Sequence, residues 1–144
     1  MISLDQVTKI YPGKTAVDAL TFTIEDGEFC VLIGPSGCGK STTLRMINRL
    51  IPASGGTITI EGKDIRSYRP EELRRRIGYA IQTVGLFPHM TVSQNVAVVP
   101  RLLGWDQTRI VTRTDELLDL LNLDPAAYRG KYPSQLSGGE AQRV

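Results

Sequence analysis

The sequence predicts a fold of the α/β class, and three adjoining features carry that prediction. Residues 29–33, Phe-Cys-Val-Leu-Ile, form an unbroken apolar run of the kind that suits a central strand buried on both faces. A glycine-rich octet, residues 34–41, follows without a gap. A helical pattern then begins, with Leu44, Ile47 and Ile51 recurring at spacings of three and four.

The other elements can be read in chain order. Residues 2–11 and 17–25 are rich in β-branched and apolar side chains and are separated by the turn cluster Pro12-Gly13-Lys14. Leu20, Phe22 and Ile24 alternate with Thr21 and Thr23, as a half-buried strand requires. The first helix places Arg45, Asn48 and Arg49 on its surface and stops at Pro52, and Ser54-Gly55-Gly56 turns the chain into a short strand at 57–61. Pro70 opens a basic helix through Arg76, since proline is tolerated in a first turn, and residues 77–81 read as the next strand.

Beyond Thr83 the pattern becomes helical. Thr91 and Gln94 have the spacing of a capping box, and Ile110, Leu117, Leu118 and Leu121 give the next helix an apolar stripe. Asp124-Pro125 and Tyr132-Pro133 punctuate the remainder of the chain. The expected division is therefore a β/α part, residues 1–85, and a mostly helical part, 86–144.

Composition narrows the function. Seventeen basic against fifteen acidic side chains leave a net charge of +2, too little to argue for nucleic acid or an anionic membrane surface. The arginines at 69, 74, 75 and 76 are interrupted by Glu71 and Glu72 and read as a solvated helix face. No apolar run approaches the roughly 20 residues of a bilayer-spanning helix, and the first residues lack a secretory pattern. Cys30 and Cys38 belong to no metal-binding or redox spacing; with Cys30 expected in the buried run, they agree with a reducing, cytosolic setting.

The octet Gly34-Pro35-Ser36-Gly37-Cys38-Gly39-Lys40-Ser41 satisfies G-x-x-x-x-G-K-[ST]. Glycines let the backbone curl with its N–H groups pointing inward, and the helix after it adds partial positive charge. Lys40 supplies a mobile cation for the outer phosphates, and the Ser41 hydroxyl is a ligand for Mg²⁺. A chance match in a chain of this size has odds of roughly one in a few hundred, and here strand and helix flank it in the expected order. This is the pattern of a nucleoside triphosphate site.

A second glycine motif, Leu136-Ser137-Gly138-Gly139-Glu140, permits two readings. Ser137 and Glu140 make a capping box for a terminal helix. That does not explain two glycines in a first turn, where they weaken a helix, and a bared helix start beside a serine hydroxyl is also an anion-binding surface.

Together the two motifs resemble the ATP-binding subunit of ATP-binding-cassette (ABC) transporters, along the whole chain. The resemblance implies a P-loop NTPase of ABC type with an amino-terminal antiparallel β part, a partial parallel sheet core and a helical subdomain. It implies that Tyr11 stacks on adenine and Val17 touches the ring's surroundings. Residues Gly34, Ser36, Gly37, Cys38, Gly39, Lys40, Ser41 and Thr42 would hold the phosphates, and Gln82 would meet Mg²⁺ and the attacking water beside Lys40. Ser137, Gly138 and Gly139 would close over the nucleotide of a second copy in a head-to-tail dimer, with ATP and Mg²⁺ as cofactors. The loop at Leu86, Phe87, Pro88, His89 and Met90 is similar to the one that contacts membrane-embedded permease subunits, which implies a peripheral position on the cytoplasmic side of the membrane.

The wording of residues 44–51, 77–82, 85–90 and 99–105 is similar to importers of osmoprotectant quaternary amines such as glycine betaine, carnitine and choline; Glu140-Ala141 departs from the usual glutamines. The family's Asp-Glu pair and later histidine have no counterpart up to Val144, and His89 precedes the second motif. The resemblance thus implies the amino-terminal portion of a longer ATPase, binding Mg-ATP without turning it over and leaving apolar surface uncovered. The alternatives are a soluble ABC ATPase acting on ribosomes or DNA, and a non-catalytic nucleotide-binding fragment.

Overall fold

A computed structural model describes residues 1–81 and 85–144. The chain forms two compact units, Met1–Tyr79 and Ala80–Val144.

The first unit is built on an antiparallel sheet of order β2-β1-β3-β4. Strands β1 (Ile2–Tyr11) and β2 (Lys14–Ile24) form a hairpin in which Leu4 faces Phe22 and Tyr11 faces Lys14. The hairpin is bulged: Gln6 and Ala19 adopt left-handed φ of 48° and 43°. Threonines recover the donors that the bulges remove from the ladder. Thr21 Oγ1 accepts from the Gln6 N–H at 2.9 Å, and Thr8 Oγ1 from the Ala19 N–H at 3.0 Å. Strand β3 (Gly55–Ile60) pairs with the other edge of β1, and the short β4 (Lys63–Asp64) returns along β3.

Leu4, Val7 and Ile58 turn inward from this sheet and pack with Met46 and Ile47 of α1 (Lys40–Ile47) and Leu73 of α2 (Pro70–Arg75). The face that α1 buries is Thr43, Met46 and Ile47, whereas Leu44 is exposed. This corrects the stripe expected through Leu44 and Ile51. The helix ends four residues before that stripe does, because Arg49 takes a left-handed φ of 49° and the Leu50 N–H closes back on the Arg45 carbonyl at 2.8 Å.

Two arginines expected on the surface bind backbone instead. Arg49 Nη1 donates to the carbonyls of Ile65 and Tyr68 at 3.2 and 2.6 Å. Arg74 donates through Nε to Asn48 O at 3.2 Å and through Nη2 to Arg49 O at 2.6 Å, satisfying the carbonyls that the end of α1 leaves free.

The expected central strand does not form. Residues 29–33 belong to no strand, Phe29 and Ile33 are each 90 % exposed, and Cys30 is exposed with a free thiol. Residues 77–81 are likewise outside any strand, with Tyr79 and Ile81 exposed. Among the described residues every strand pair is antiparallel, so the parallel part of the expected sheet is absent from them. The physical reason is pairing: an apolar run becomes a buried strand only beside another strand, and none of the described ones lies next to residues 29–33.

The second unit is helical: α3 (Val92–Val96), α4 (Val98–Leu102), α5 (Gln107–Leu120), α6 (Pro125–Tyr128) and α7 (Gly138–Arg143). Thr91 and Gln94 form the expected capping box on α3, while Asp106 and Asp124 cap α5 and α6. Helix α5 turns Ile110, Thr114 and Leu118 inward, and the Thr114 hydroxyl donates to the Ile110 carbonyl at 2.7 Å, which lets a polar residue occupy that buried line. Val92, Leu118 and Leu123 are fully buried and pack with Tyr128 and Leu136. Among the described residues, no helix is long and apolar enough to cross a membrane.

Candidate functional site

The glycine-rich octet stands between the 29–33 segment and the first turn of α1, and its backbone is shaped as the motif requires. Gly37 and Gly39 take φ of 82° and 98°, in the region that side chains disfavour. At Gly39 close approach adds to this: a Cβ there would lie 2.5 Å from the Ala16 carbonyl oxygen and 3.0 Å from a Val17 methyl. Gly39 is also the residue before α1 and offers no side-chain cap, so the first N–H groups of that helix remain available to a ligand.

Lys40 folds back over the octet. Its ammonium donates to the carbonyls of Gly34 and Pro35 at 2.7 and 2.8 Å and lies 3.3 Å from Cys38 Sγ. Beside it opens a cavity of about 500 Å³ lined by Tyr11, Lys14, Ala16, Ser36, Gly37, Gly39, Lys40, Ser41 and Thr42. That lining has two lysines and no acid, and an aromatic ring from the hairpin end, so it suits an anion attached to a flat apolar group. The glycine cradle, the uncapped helix and the lysine fit the phosphates of a nucleotide, and Ser41 presents a hydroxyl for its Mg²⁺.

The structure thus gathers Tyr11, Ser36, Gly37, Gly39, Lys40, Ser41 and Thr42 around one space. Other expected residues stand apart from it. Val17 is buried in the core against Gly39 and lines an adjoining cavity rather than this one. Cys38 turns toward Gly34, where its sulfur would meet a Cβ at 2.7 Å, and lines the same adjoining cavity with Val31, Leu32, Ile33, Asp18 and Lys40. Gln82 lies outside the described residues. Lys14 and Ala16 are the members that no sequence motif marks; the one signal for Lys14 is its place across the hairpin turn from Tyr11. A further cavity of about 430 Å³ lies between the end of α1 and β3, but the Arg49 on its wall already binds two carbonyls.

In the second unit, Ser137 caps α7. Its Oγ accepts from the Glu140 N–H at 3.3 Å, and Glu140 Oε2 accepts from the Ser137 N–H at 2.7 Å, while Glu140 Oε1 accepts from the Tyr128 hydroxyl. The capping-box reading of this motif therefore holds. It leaves the Ser137 hydroxyl proton unassigned, because that oxygen serves the cap as an acceptor. It also leaves the glycines unexplained: a Cβ on Gly138 or Gly139 would meet nothing within 4 Å, and neither has a left-handed φ.

The Tyr128 hydroxyl, followed by the Ser137 donors, holds the Glu140 carboxyl down to about 2. A depressed carboxylate contributes to stability above its unfolded pKa and loses that contribution as pH falls through its folded one. The start of α7 is therefore expected to stay capped at pH 4.5 and to loosen only toward pH 2. A carbon-13 titration of the Glu140 carboxyl checks this, and a midpoint at the ordinary value of 4.5 would refute it.

The loop before α3 is held by Asn95, another residue that no motif in the sequence singles out. Its Oδ1 accepts from the Phe87 N–H at 2.7 Å and its Nδ2 donates toward the carbonyls of Met90 and Thr91, both at 3.0 Å. Phe87 stands 47 % exposed on this fixed loop, with its ring edge-on to His89.

Among known proteins, the family model described as "ABC transporter" matches residues 17–144. The glycine betaine/carnitine/choline transport ATP-binding protein OpuCA of Bacillus subtilis is 52 % identical over 145 residues, covering 100 % of this chain and 38 % of its own length. The osmoprotectant import ATP-binding protein OsmV of Salmonella typhimurium is 48 % identical over 149 residues, covering 100 % of this chain and 39 % of its own. The chain thus spans about two fifths of the length of these relatives, at 38 % and 39 %. Among solved structures, a dimeric ATP-binding cassette in a post-hydrolysis state bound to ADP and Pi superposes with a TM-score of 0.86 at 32 % identity, covering 99 % of this chain and 66 % of that one.

Proposed function

This chain belongs to the ABC transporter family, and from that premise we propose that it supplies the nucleotide-holding part of an ATP-binding subunit that powers import of osmoprotectant quaternary amines. The observation that supports this most is the cationic cavity at the octet, where Lys40, the glycine cradle and Tyr11 meet. Tyr11 stacks on the base, the N–H groups of the octet and the start of α1 take the phosphates, and Ser41 holds Mg²⁺ together with Gln82. Lys40 exchanges its two carbonyl partners for phosphate oxygens. ATP bound with Mg²⁺ supplies the phosphoryl group whose hydrolysis drives transport in the whole protein.

The division of labour we propose matches the two parts of the sequence. Residues 1–85 hold the nucleotide, and residues 86–144 carry the contacts made with other chains. Ser137, Gly138 and Gly139 close over the nucleotide of a second copy, a reading supported by glycines that this chain's own packing does not require. Residues 86–90 meet the permease subunits, which hold the protein at the cytoplasmic face of the membrane. Nucleic acid is not a partner in this reading, since Arg49 and Arg74 bind carbonyls of their own unit.

The substrate class rests on the relatives, whose names concern glycine betaine, carnitine, choline and osmoprotectants. Uptake of labelled glycine betaine by cells carrying the protein with its permease partners tests it, and uptake indifferent to deletion of this chain would sink it. Within that assay, Phe87→Ala should lower uptake by about tenfold, as loss of an exposed aromatic anchor does, while ATP affinity stays unchanged. Equal uptake by variant and parent would remove Phe87 from the permease contact.

A further inference from the structure

Lys9 precedes Tyr11 by two residues on β1, so both side chains leave the same face of the strand. Tyr11 is 39 % exposed and lines the octet cavity, whereas Lys9 is only 9 % exposed and does not line it. The Lys9 ammonium stands 5.1 Å from the centroid of the Tyr11 ring and donates to the Pro52 carbonyl at 2.7 Å. None of the ion pairs among the described residues includes Lys9. The ammonium of this largely buried side chain is held by one carbonyl and one aromatic ring.

The Pro52 end of this arrangement is anchored. The Ser54 N–H donates to the Thr8 carbonyl at 2.8 Å, and Ser54 Oγ accepts from the Ile10 N–H at 3.0 Å, so the loop carrying Pro52 is tied to β1 on both sides of Lys9. The cation is thus held against the ring of a residue that lines the cavity, while Lys9 itself does not line it. This matters for stacking, because the faces of two aromatic systems both carry negative charge and repel in face-to-face contact. A cation behind one ring draws density away from its other face and weakens that repulsion.

We propose that Lys9 is a positioning residue for base recognition, fixing the Tyr11 ring and polarising it so that its open face accepts an electron-rich purine. The proposal deepens the reading of Tyr11 as the base-stacking residue and rests on it. Lys9 then contributes to the affinity for a nucleotide through the base alone and contributes nothing to the phosphates.

The test compares Mg-ATP with tripolyphosphate, which has the phosphates and no base, by calorimetric titration of the whole chain and its variants. Lys9→Met keeps the apolar stem and removes the charge; it should weaken ATP about three- to tenfold, leave tripolyphosphate unchanged, and be largely rescued by Lys9→Arg. In a Tyr11→Leu background, Lys9→Met should have no further effect on ATP. Unchanged tripolyphosphate binding also shows that the variants are folded. Equal weakening of both ligands by Lys9→Met, or of neither, overturns the proposal. A parent chain that binds tripolyphosphate as tightly as ATP instead overturns the stacking role of Tyr11, and the role of Lys9 with it.

Discussion

Lys40→Ala should lower the affinity for Mg-ATP by at least about a hundredfold, because in the proposed binding mode the ammonium would make charge-assisted bonds to two outer phosphates, each contributing about 1.5–3 kcal/mol. The same substitution should leave the thermal unfolding of the chain almost unchanged. Its partners in the structure, the carbonyls of Gly34 and Pro35, lie in an exposed loop and regain water when the ammonium is removed. Affinity and stability therefore separate, and titration calorimetry beside a melting curve reads both. Lys40→Arg should recover little, since a planar fork cannot turn inside a backbone curl that a compact ammonium fits. Affinity retained in Lys40→Ala would place the phosphates elsewhere, with the 430 Å³ cavity beside Arg49 as the next candidate.

The parts of this molecule that are legible in the sequence are those whose cause is local. The octet can be read because its chemistry dictates neighbouring residue types: glycine where φ is positive and β2 lies close, and lysine at the helix start. Thr91 and Ser137 are legible as caps because the three-residue spacing is itself the hydrogen-bond geometry. Strands β1, β2 and β3 emerge from alternation and turns. The expectations that fail depend on partners distant in sequence. The run at 29–33 announces a strand, but its letters do not say whether a second strand lies beside it.

The same limit applies to side chains. Arg49, Arg74 and Asn95 look like solvated polar residues, and each proves to be tied to carbonyls, Arg74 to two that lie 26 and 25 residues away. Lys14 and Lys9 are unmarked by any motif and become noticeable only once the hairpin brings them to Tyr11. Tyr11 itself enters through resemblance, and the structure finds it on the wall of the octet cavity. Val17 enters the same way and packs in the core of its unit, against Gly39.

The glycine pair at 138 and 139 allows a result that separates folding from function. Gly138→Ala and Gly139→Ala should each leave the chain as stable as before or raise its stability by about 0.5–1 kcal/mol, since alanine is the better helix former. Nothing in the chain opposes the added methyl: no atom lies within 4 Å of where either Cβ would stand, and both residues already have φ values that alanine adopts freely. ATP affinity of the single chain should also be unchanged, because the octet is intact. ATP-driven pairing of two copies, measured by sedimentation, should be lost, since in the proposed pairing a methyl at either position would crowd the phosphate that approaches the start of α7. A variant that is more stable and yet cannot pair is hard to explain by any role of these glycines inside their own chain. If pairing survives in both variants, the second motif is only a helix start, and Ser137 with Glu140 accounts for all of it.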